Sequence, residues 1–135
     1  MKNRSSWRRA ASLLAVVLLL GTLGARSSGP PAGTELQGKV VHVMDGDSMT
    51  LRTDDGNVGV RTFGVDCPER GMPFSARAKT FTSGLVGNRD VTVVVHDVDR
   101  YGRIVCDVKL ADGRSLGREL LREGLAWYYR RYAND

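Results

Sequence analysis

The pattern of apolar and polar positions predicts a β-rich domain that begins near Leu36. A valine-rich run comes first, a second run covers 48–53, and residues 58–63 alternate between apolar and polar side chains. A period of two places successive side chains on opposite faces of a strand. The Asp-Asp-Gly sequence at 54–56 is typical of a hairpin turn, because glycine adopts positive φ without a steric penalty. We therefore predict three consecutive strands joined by tight turns.

A change of period predicts a helix after the third strand. Apolar residues recur there at the spacing of one helix face, at Phe74, Ala78, Phe81 and Leu85. Pro73 suits the start of this helix and Gly87 suits its end.

The second half of the chain predicts two more strands and a second helix. The strands cover 90–97, with Val91, Val93 and Val95 on one face, and 103–110. The helix around 116–121 has Ser115 as its expected cap and Gly124 as its stop. The order β-β-β-α-β-β-α predicts a mainly β (α+β) fold, a five-stranded OB-fold barrel with two helices.

The first 25 residues have the layout of a secretory signal peptide. Lys2, Arg4, Arg8 and Arg9 precede an apolar run at 10–23, and cleavage is expected after Ala25. The run is shorter than the ~20 residues that span a bilayer, although an uncleaved membrane anchor is the alternative. We expect an exported protein, secreted or periplasmic, without stable membrane association after cleavage. Residues 26–35 are then a flexible linker, and 36–135 form the folded domain.

Charge alone says little about function once the signal peptide is set aside. The whole chain carries 20 Lys+Arg and 15 Asp+Glu, a net charge of +5. Four of the basic residues lie in the first 25, which leaves 16 basic against 15 acidic residues. The position of the charges must therefore carry any argument for nucleic-acid binding.

Three short polar clusters stand at the ends of predicted strands. They are Asp45-Gly46-Asp47-Ser48, the stretch from Arg61 to Glu69 with Asp66-Cys67-Pro68-Glu69 at its end, and Asp99-Arg100-Tyr101-Gly102-Arg103. Taken singly, each has an ordinary structural explanation: a turn, a helix entry with carboxylates at its N-terminus, and a solvated hairpin.

Together the three clusters resemble the thermonuclease family, the staphylococcal nuclease-like domains. They occur in the order of the family, and the match extends from about Val40 to Tyr132. The stretch 119–126 is also similar to the second helix of the family. The resemblance implies an OB barrel and a monomeric nuclease. Such an enzyme would hydrolyse phosphodiester bonds of DNA and/or RNA with little sequence specificity and would favour single-stranded or unpaired regions.

The acidic residues point to a site for a hard cation. Carboxylate oxygens select Ca²⁺ or Mg²⁺ over zinc or copper. The resemblance implies Ca²⁺ with Asp47 and Asp66 as side-chain ligands and the backbone carbonyl of Cys67 as a third. A Cys67 thiolate on the metal, which would make zinc the ion, is the alternative.

The remaining site residues would contact the substrate. Arg61 and Arg103 can each pair two phosphate oxygens with a planar guanidinium, and the resemblance makes both catalytic. It gives Glu69 the role of general base or water-orienting residue. Arg100 and Tyr101 would hold an adjacent phosphate, and Tyr132 would contact the base or sugar.

Other functions stay open at this level. A nuclease-like OB module can bind nucleic acid or protein without catalysis, and an OB domain can bind metal without hydrolysing anything. A disulfide between Cys67 and Cys106 is allowed by export and is not established by the sequence. His42 and His96 are expected to be structural. The chain ends at Asp135, before the family's C-terminal helix, so we expect apolar surface to be exposed around Trp127 and Tyr128.

Overall fold

The computed structural model describes residues 29–129. The predicted signal peptide, the first residues of the linker and the predicted contact Tyr132 lie outside the described residues. Five strands form a closed barrel. They are β1 (Glu35–Asp45), β2 (Ser48–Thr53), β3 (Gly56–Thr62), β5 (Asp90–Val98) and β6 (Ile104–Lys109).

The long first strand closes the barrel by pairing with two neighbours. Residues 35–39 of β1 pair with β5, and residues 39–45 pair with β2. Register shifts after Val40 and Val43 bend the strand, as β-bulges do. The remaining seam is a parallel pairing of β3 with β6, from Val60–Ile104 to Thr62–Cys106. The predicted five-stranded OB barrel is confirmed.

The barrel interior is filled by the inward positions of the alternating strands. The predicted inward face of β5 is confirmed, since Val91, Val93 and Val95 are each at most 4% exposed. Residues with almost no exposed surface come from every wall of the barrel and from both helices. They include Val40, Met49, Leu51, Val60, Val93, Val108, Ala78, Val86, Leu116 and Leu120.

Helix α1 (Ser75–Val86) begins two residues later than Pro73 and buries a different stripe from the predicted one. Phe74 precedes the helix with a left-handed φ of 66° and is 64% exposed, so its assignment to the buried face was wrong. The fully buried residues are Ala78, Thr82 and Val86, four apart along the face that packs on β1. Phe81 and Leu85 pack beside them at the edge of the core.

Gly87 ends α1 as predicted, but not through a left-handed conformation. Its φ is −58°, and the left-handed residue is Asn88. A Cβ at position 87 would lie 2.5 Å from the carbonyl oxygen of Ser83. Glycine is required there because the backbone passes too close to the last helical turn for any side chain.

Helix α2 (Leu116–Arg122) lies between β6 and α1. Ser115 precedes it as predicted, but its hydroxyl donates to Asp107 Oδ1 at 2.8 Å instead of capping the helix. Gly124 follows the helix with a φ of 67°, the left-handed conformation that glycine adopts at helix ends. Among residues 29–129 no helix is long and apolar enough to cross a membrane.

A second, two-stranded sheet was not predicted. Strand β4 (Val65–Asp66) pairs antiparallel with β7 (Trp127–Tyr128), which fixes the segment after α2 against the end of β3. Each strand has only two residues, too few for a visible alternation. Trp127 and Tyr128 are 49% and 52% exposed, in agreement with the expected apolar surface.

Candidate active site

A cavity lies where the three polar clusters meet. Its volume is about 650 Å³, and it is bounded by the ends of β3 and β5, strand β4, the β5–β6 turn and Tyr129. Six of the nine predicted site residues line it: Arg61, Asp66, Glu69, Arg100, Tyr101 and Arg103. Folding thus brings together residues that are 42 positions apart in the chain.

Asp47 is buried beneath this cavity and does not line it. It lies in the β1–β2 turn and is 5% exposed. The backbone N–H of Cys67 donates to its Oδ2 at 2.8 Å, and the hydroxyl of Ser48 donates to its Oδ1 at 3.1 Å. Burial raises the pKa of Asp47 to about 6, and nearby Asp45 adds to the rise, whereas the Cys67 N–H and Arg61 oppose it. A carboxylate in this position is stabilised by added positive charge.

Arg61 connects this buried carboxylate with the cavity wall. Its Nη1 lies 3.4 Å from Asp47 Oδ2, and its Nη2 lies 3.0 Å from Asp66 Oδ1. The same Nη1 donates to the carbonyl oxygen of Val65 at 3.1 Å. One guanidinium therefore pairs with both carboxylates that were predicted to bind the metal. The side chain is held in place from both sides and remains 21% exposed towards the cavity.

Arg103 is held by the turn that precedes β6. The carboxylate of Asp99 accepts its backbone N–H at 2.9 Å and its Nε–H at 2.7 Å. Arg103 itself lies just before β6, which begins at Ile104, so its predicted place within the strand was wrong. The backbone N–H of Arg103 donates to Asp99 and not to a neighbouring strand, so Arg103 belongs to the turn.

A serine that sequence reasoning gave no role connects the two halves of the site. Nη1 of Arg103 donates to Ser48 Oγ at 3.3 Å, and Ser48 Oγ donates to Asp47 Oδ1. Both partners of Ser48 were predicted site residues, but their proximity depends on the β2–β3–β6 arrangement. The Asp-Gly-Asp-Ser sequence could have indicated a role for Ser48, since a hydroxyl beside a buried carboxylate readily donates a hydrogen bond to it.

Tyr101 projects outward at the mouth of the cavity. It is 69% exposed, and its ring is approached by the guanidinium carbons of Arg100 at 4.9 Å and Arg103 at 5.5 Å. Arg100 also donates to the tyrosine hydroxyl at 2.8 Å. The ring therefore orders two cations at the place where an anionic ligand would enter.

Glu69 is exposed on the loop between β4 and α1 and lines the cavity. Its side chain forms no hydrogen bond or ion pair with another residue of the range 29–129. In contrast, Asp66 is paired with Arg61, and Asp99 is paired with Arg103. Asp97 uses one oxygen to accept the Val98 N–H. Among the described cavity carboxylates, Glu69 is thus the one with both oxygens available to a water molecule or a ligand.

The chemistry of the donors fits a hard divalent cation in part. Asp47 and Asp66 both contact the guanidinium of Arg61, each through a different nitrogen atom. Among the described residues no cluster of three or more His, Cys, Asp or Glu side chains surrounds a common point. Two carboxylates with a backbone carbonyl would leave the remaining positions to water and substrate, as Mg²⁺ and Ca²⁺ sites allow.

Both cysteines are buried free thiols in the folded domain. Burial, together with the carboxylates of Asp47, Asp45 and Asp66, raises the pKa of Cys67 to about 12. Burial likewise raises the pKa of Cys106 to about 12. Since the thiolate is the metal-binding form, the thiol of Cys67 would have to lose its proton to bind a metal ion.

Tyr129 lines the cavity and was not among the predicted contacts. Its N–H donates to the carbonyl oxygen of Gly64 at 3.0 Å, which continues the β4–β7 pairing by one residue. The sequence pattern places several aromatic residues at 127–132 without indicating which of them faces the site. The position predicted for Tyr132 stays a prediction because that residue lies beyond 129.

The chain is similar in sequence to known proteins. Residues 59–135 match the family described as staphylococcal nuclease homologue. Protein ParB of Escherichia coli is 35% identical over 139 residues, which cover 96% of this chain and 73% of that protein. An uncharacterized endonuclease of Escherichia coli is 32% identical over 108 residues, covering 80% of this chain and 71% of that protein. Micrococcal nuclease of Shigella flexneri is 30% identical over 140 residues, covering 98% and 75%. The chain therefore belongs to the staphylococcal nuclease family.

Proposed function

We propose that this protein is a calcium-dependent nuclease that hydrolyses phosphodiester bonds of DNA and/or RNA. The observation that carries the proposal is the convergence of Arg61, Arg103 and Glu69 on one cavity. Two of these residues are cations with ordered guanidinium groups, and the third is a carboxylate available to water. An anion that is attacked by water requires this combination of groups.

The arginines would act by holding the scissile phosphate. Negative charge on the phosphate oxygens grows as water attacks phosphorus, and donors aimed at those oxygens stabilise the transition state more than the bound substrate. Arg103 is prepared for this role because Asp99 fixes its Nε and leaves terminal nitrogens towards the cavity. Loss of one such donor typically lowers the rate by about 10²–10³.

Glu69 would accept a proton from the attacking water. A positioned general base of this kind contributes about 10²–10⁴ in rate. The loop of Glu69 begins directly after β4, whose Asp66 is anchored on Arg61. Glu69 and the phosphate-binding Arg61 therefore lie at opposite ends of one short segment, residues 61–69.

Asp47, Asp66 and the backbone carbonyl of Cys67 would hold Ca²⁺. The ion supplies charge neutralisation to the bound phosphodiester. Arg61 pairs with both carboxylates in the structure, so a bound cation would share these ligands with its guanidinium.

The substrate would be recognised mainly through its backbone. Contacts between arginine and phosphate carry no sequence information, which predicts low base specificity. An unpaired strand fits an open cavity better than a rigid duplex does. We propose that the protein acts as a monomer and that it is exported, on the strength of the basic and apolar pattern in its first 25 residues.

The test uses the full chain with single-stranded DNA and RNA, each with Ca²⁺, Mg²⁺ or a chelator. We expect cleavage with Ca²⁺, loss of at least about 10²-fold in Glu69→Gln, and full activity in the control Glu35→Gln, an exposed residue at the start of β1. A folded protein that binds the strands and cleaves neither with any ion would support the alternative, a non-catalytic nuclease-like binding module.

A further inference from the structure

An aromatic pair that the proposed mechanism does not use lies close to the cavity. The rings of Phe63 and His96 are parallel within 3°, and their centroids are 3.7 Å apart. Phe63 is half-buried in the turn after β3, and His96 is exposed on β5. We call this pair the Phe63–His96 stack.

The geometry of the stack is closer to that of stacked bases than to that of most aromatic pairs in proteins. Protein pairs prefer offset or edge-to-face arrangements with centroids about 4.5–7 Å apart. At 3.7 Å the two parallel rings overlap almost fully, so each ring covers one face of the other. An exposed flat ring supported from behind by a second ring is well suited to extend the stack by one more aromatic plane.

The stack lies beside the active-site cavity, and neither of its two rings lines it. Thr62 and Gly64, on either side of Phe63, both line the cavity, and so does Asp97, which follows His96. Strand β6 separates β3 from β5, and its Val105, which pairs with Asp97, lines the cavity as well. A strand that leaves the cavity past Asp97 would meet the stack beside it.

We propose that the Phe63–His96 stack is a binding subsite for an unpaired nucleobase of the substrate strand. The proposal rests on the proposed function, because it requires a single strand whose phosphate occupies the cavity. Every base has a π face, so stacking adds affinity without sequence preference.

The charge around the stack favours a base over a phosphate. The cavity is lined by the cations Arg61, Arg100 and Arg103, whereas His96 is followed directly by the carboxylate of Asp97. One oxygen of that carboxylate accepts the Val98 N–H at 2.8 Å. A negatively charged group at this edge repels a phosphodiester but does not oppose a neutral base.

The experiment measures binding in the Glu69→Gln background, which keeps the strand intact. Fluorescence anisotropy gives the Kd for a labelled single-stranded oligonucleotide and for a series in which one abasic nucleotide is moved through each position. The series is made in DNA and in RNA. We expect His96→Ala to raise the Kd of the intact strand on the order of tenfold.

Combining His96→Ala with an abasic nucleotide distinguishes a loss of stacking from a structural effect of the substitution on the Kd. At one position of the series the abasic nucleotide should raise the Kd by itself, and His96→Ala should add nothing further. His96→Phe, which keeps an aromatic ring, should bind within about threefold of the parent. His42→Ala is the matched control, since His42 is the other histidine, lies on β1 and does not line the cavity.

Two results would overturn the subsite. One is a Kd that His96→Ala leaves unchanged, and the other is an effect of His96→Ala that persists at every abasic position. If the parent chain cleaves strands and no coupling is found, only the subsite fails. If no strand is cleaved under any condition while the coupling is present, the nuclease proposal fails and the base-binding subsite stands.

Discussion

Nη1 of Arg61 lies 3.4 Å from Oδ2 of Asp47, so a residue of the cavity wall neutralises a carboxylate buried beneath the cavity. The same guanidinium holds Asp66 at 3.0 Å. The two carboxylates most suited to a metal ion are thus kept together by a positive charge that belongs to the protein. Arg61 preserves the geometry of the acidic pair without a bound cation.

Arg61→Gln should make the folded protein depend on Ca²⁺. Without the guanidinium, Asp47 and Asp66 lose their common counter-ion, and we expect a loss of about 1–3 kcal/mol in the free energy of unfolding in chelator. Because a ligand of the native state stabilises it, Ca²⁺ should raise the Tm of the variant more than that of the parent chain. Thermal unfolding with Ca²⁺ and with chelator measures both effects.

The matched control for this prediction is Arg52→Gln, an exposed arginine on β2 outside the cavity. It should respond to Ca²⁺ like the parent chain. Equal Ca²⁺-induced changes in Tm for Arg61→Gln and the parent would show that the cation does not bind at this acidic pair. In activity assays, Arg61→Gln should lose about 10²–10³ in rate.

Gly46→Ala should disturb the buried side of the site. A Cβ at position 46 would lie 2.7 Å from Cys67 Sγ and 2.8 Å from Ala78 Cβ, where no atom can stand without displacement. We expect a loss of about 1–3 kcal/mol from overpacking, and reduced activity because Asp47 is the next residue. Chemical denaturation and a cleavage assay measure the two effects. Gly84→Ala is the control, since a Cβ there meets nothing within 4 Å and the helix should gain up to about 1 kcal/mol.

Asp99→Asn should destabilise the protein at neutral pH and cease to do so in acid. Burial raises the pKa of Asp99, but hydrogen bonds from the backbone and side chain of Arg103 and from Tyr101 bring it below its ordinary value of 3.8. A lowered folded-state pKa contributes stability that is present above 3.8 and is lost as the pH falls through the folded value. The Tm difference between parent and variant should therefore be constant near pH 6 and shrink below about pH 4.

The same substitution should weaken catalysis, because Asp99 fixes the Nε of Arg103 at 2.7 Å. Asp54→Asn, in the exposed β2–β3 turn, is the control for removing one carboxylate from the surface. A Tm difference for Asp99→Asn that does not change between pH 6 and pH 3 would contradict the assigned role of its charge.

Two buried threonines should respond in opposite directions to valine. In the described chain Thr62 Oγ1 is buried without a hydrogen-bond partner, whereas Thr82 Oγ1 donates to the Gly46 carbonyl oxygen at 2.6 Å. Thr62→Val should be neutral or stabilising by up to about 1 kcal/mol, because an unpaired hydroxyl is replaced by a methyl group. Thr82→Val should cost about 1–3 kcal/mol, because it leaves the Gly46 carbonyl unsatisfied.

Denaturant unfolding of both variants measures this difference, and each serves as the other's control for the change in shape. A loss in Thr62→Val as large as that in Thr82→Val would mean that the Thr62 hydroxyl has a partner in solution. A neutral Thr82→Val would remove the proposed link between α1 and the β1–β2 turn.

The sequence by itself determined the barrel strands and both helices, and it indicated six of the residues that line the cavity. Alternation between apolar and polar residues decides which face of a strand is buried, and Gly56 decides the β2–β3 turn with a φ of 115°. These are local properties of the chain. The three polar clusters were also visible, because each one is continuous in sequence.

Only the tertiary structure decided how those clusters meet. Three contacts each join residues that are far apart in the sequence: the Arg61–Asp47 pair, the Ser48 bridge to Arg103 and the Phe63–His96 stack. Pairing of β3 with β6 and bending of β1 create these contacts, and neither leaves a signal in a single strand. Phe74 shows the same limit, because a left-handed φ just before α1 removed it from a helical stripe that its spacing had predicted. Periodicity fixes which side chains share a face, and only the packed barrel fixes which faces share a site.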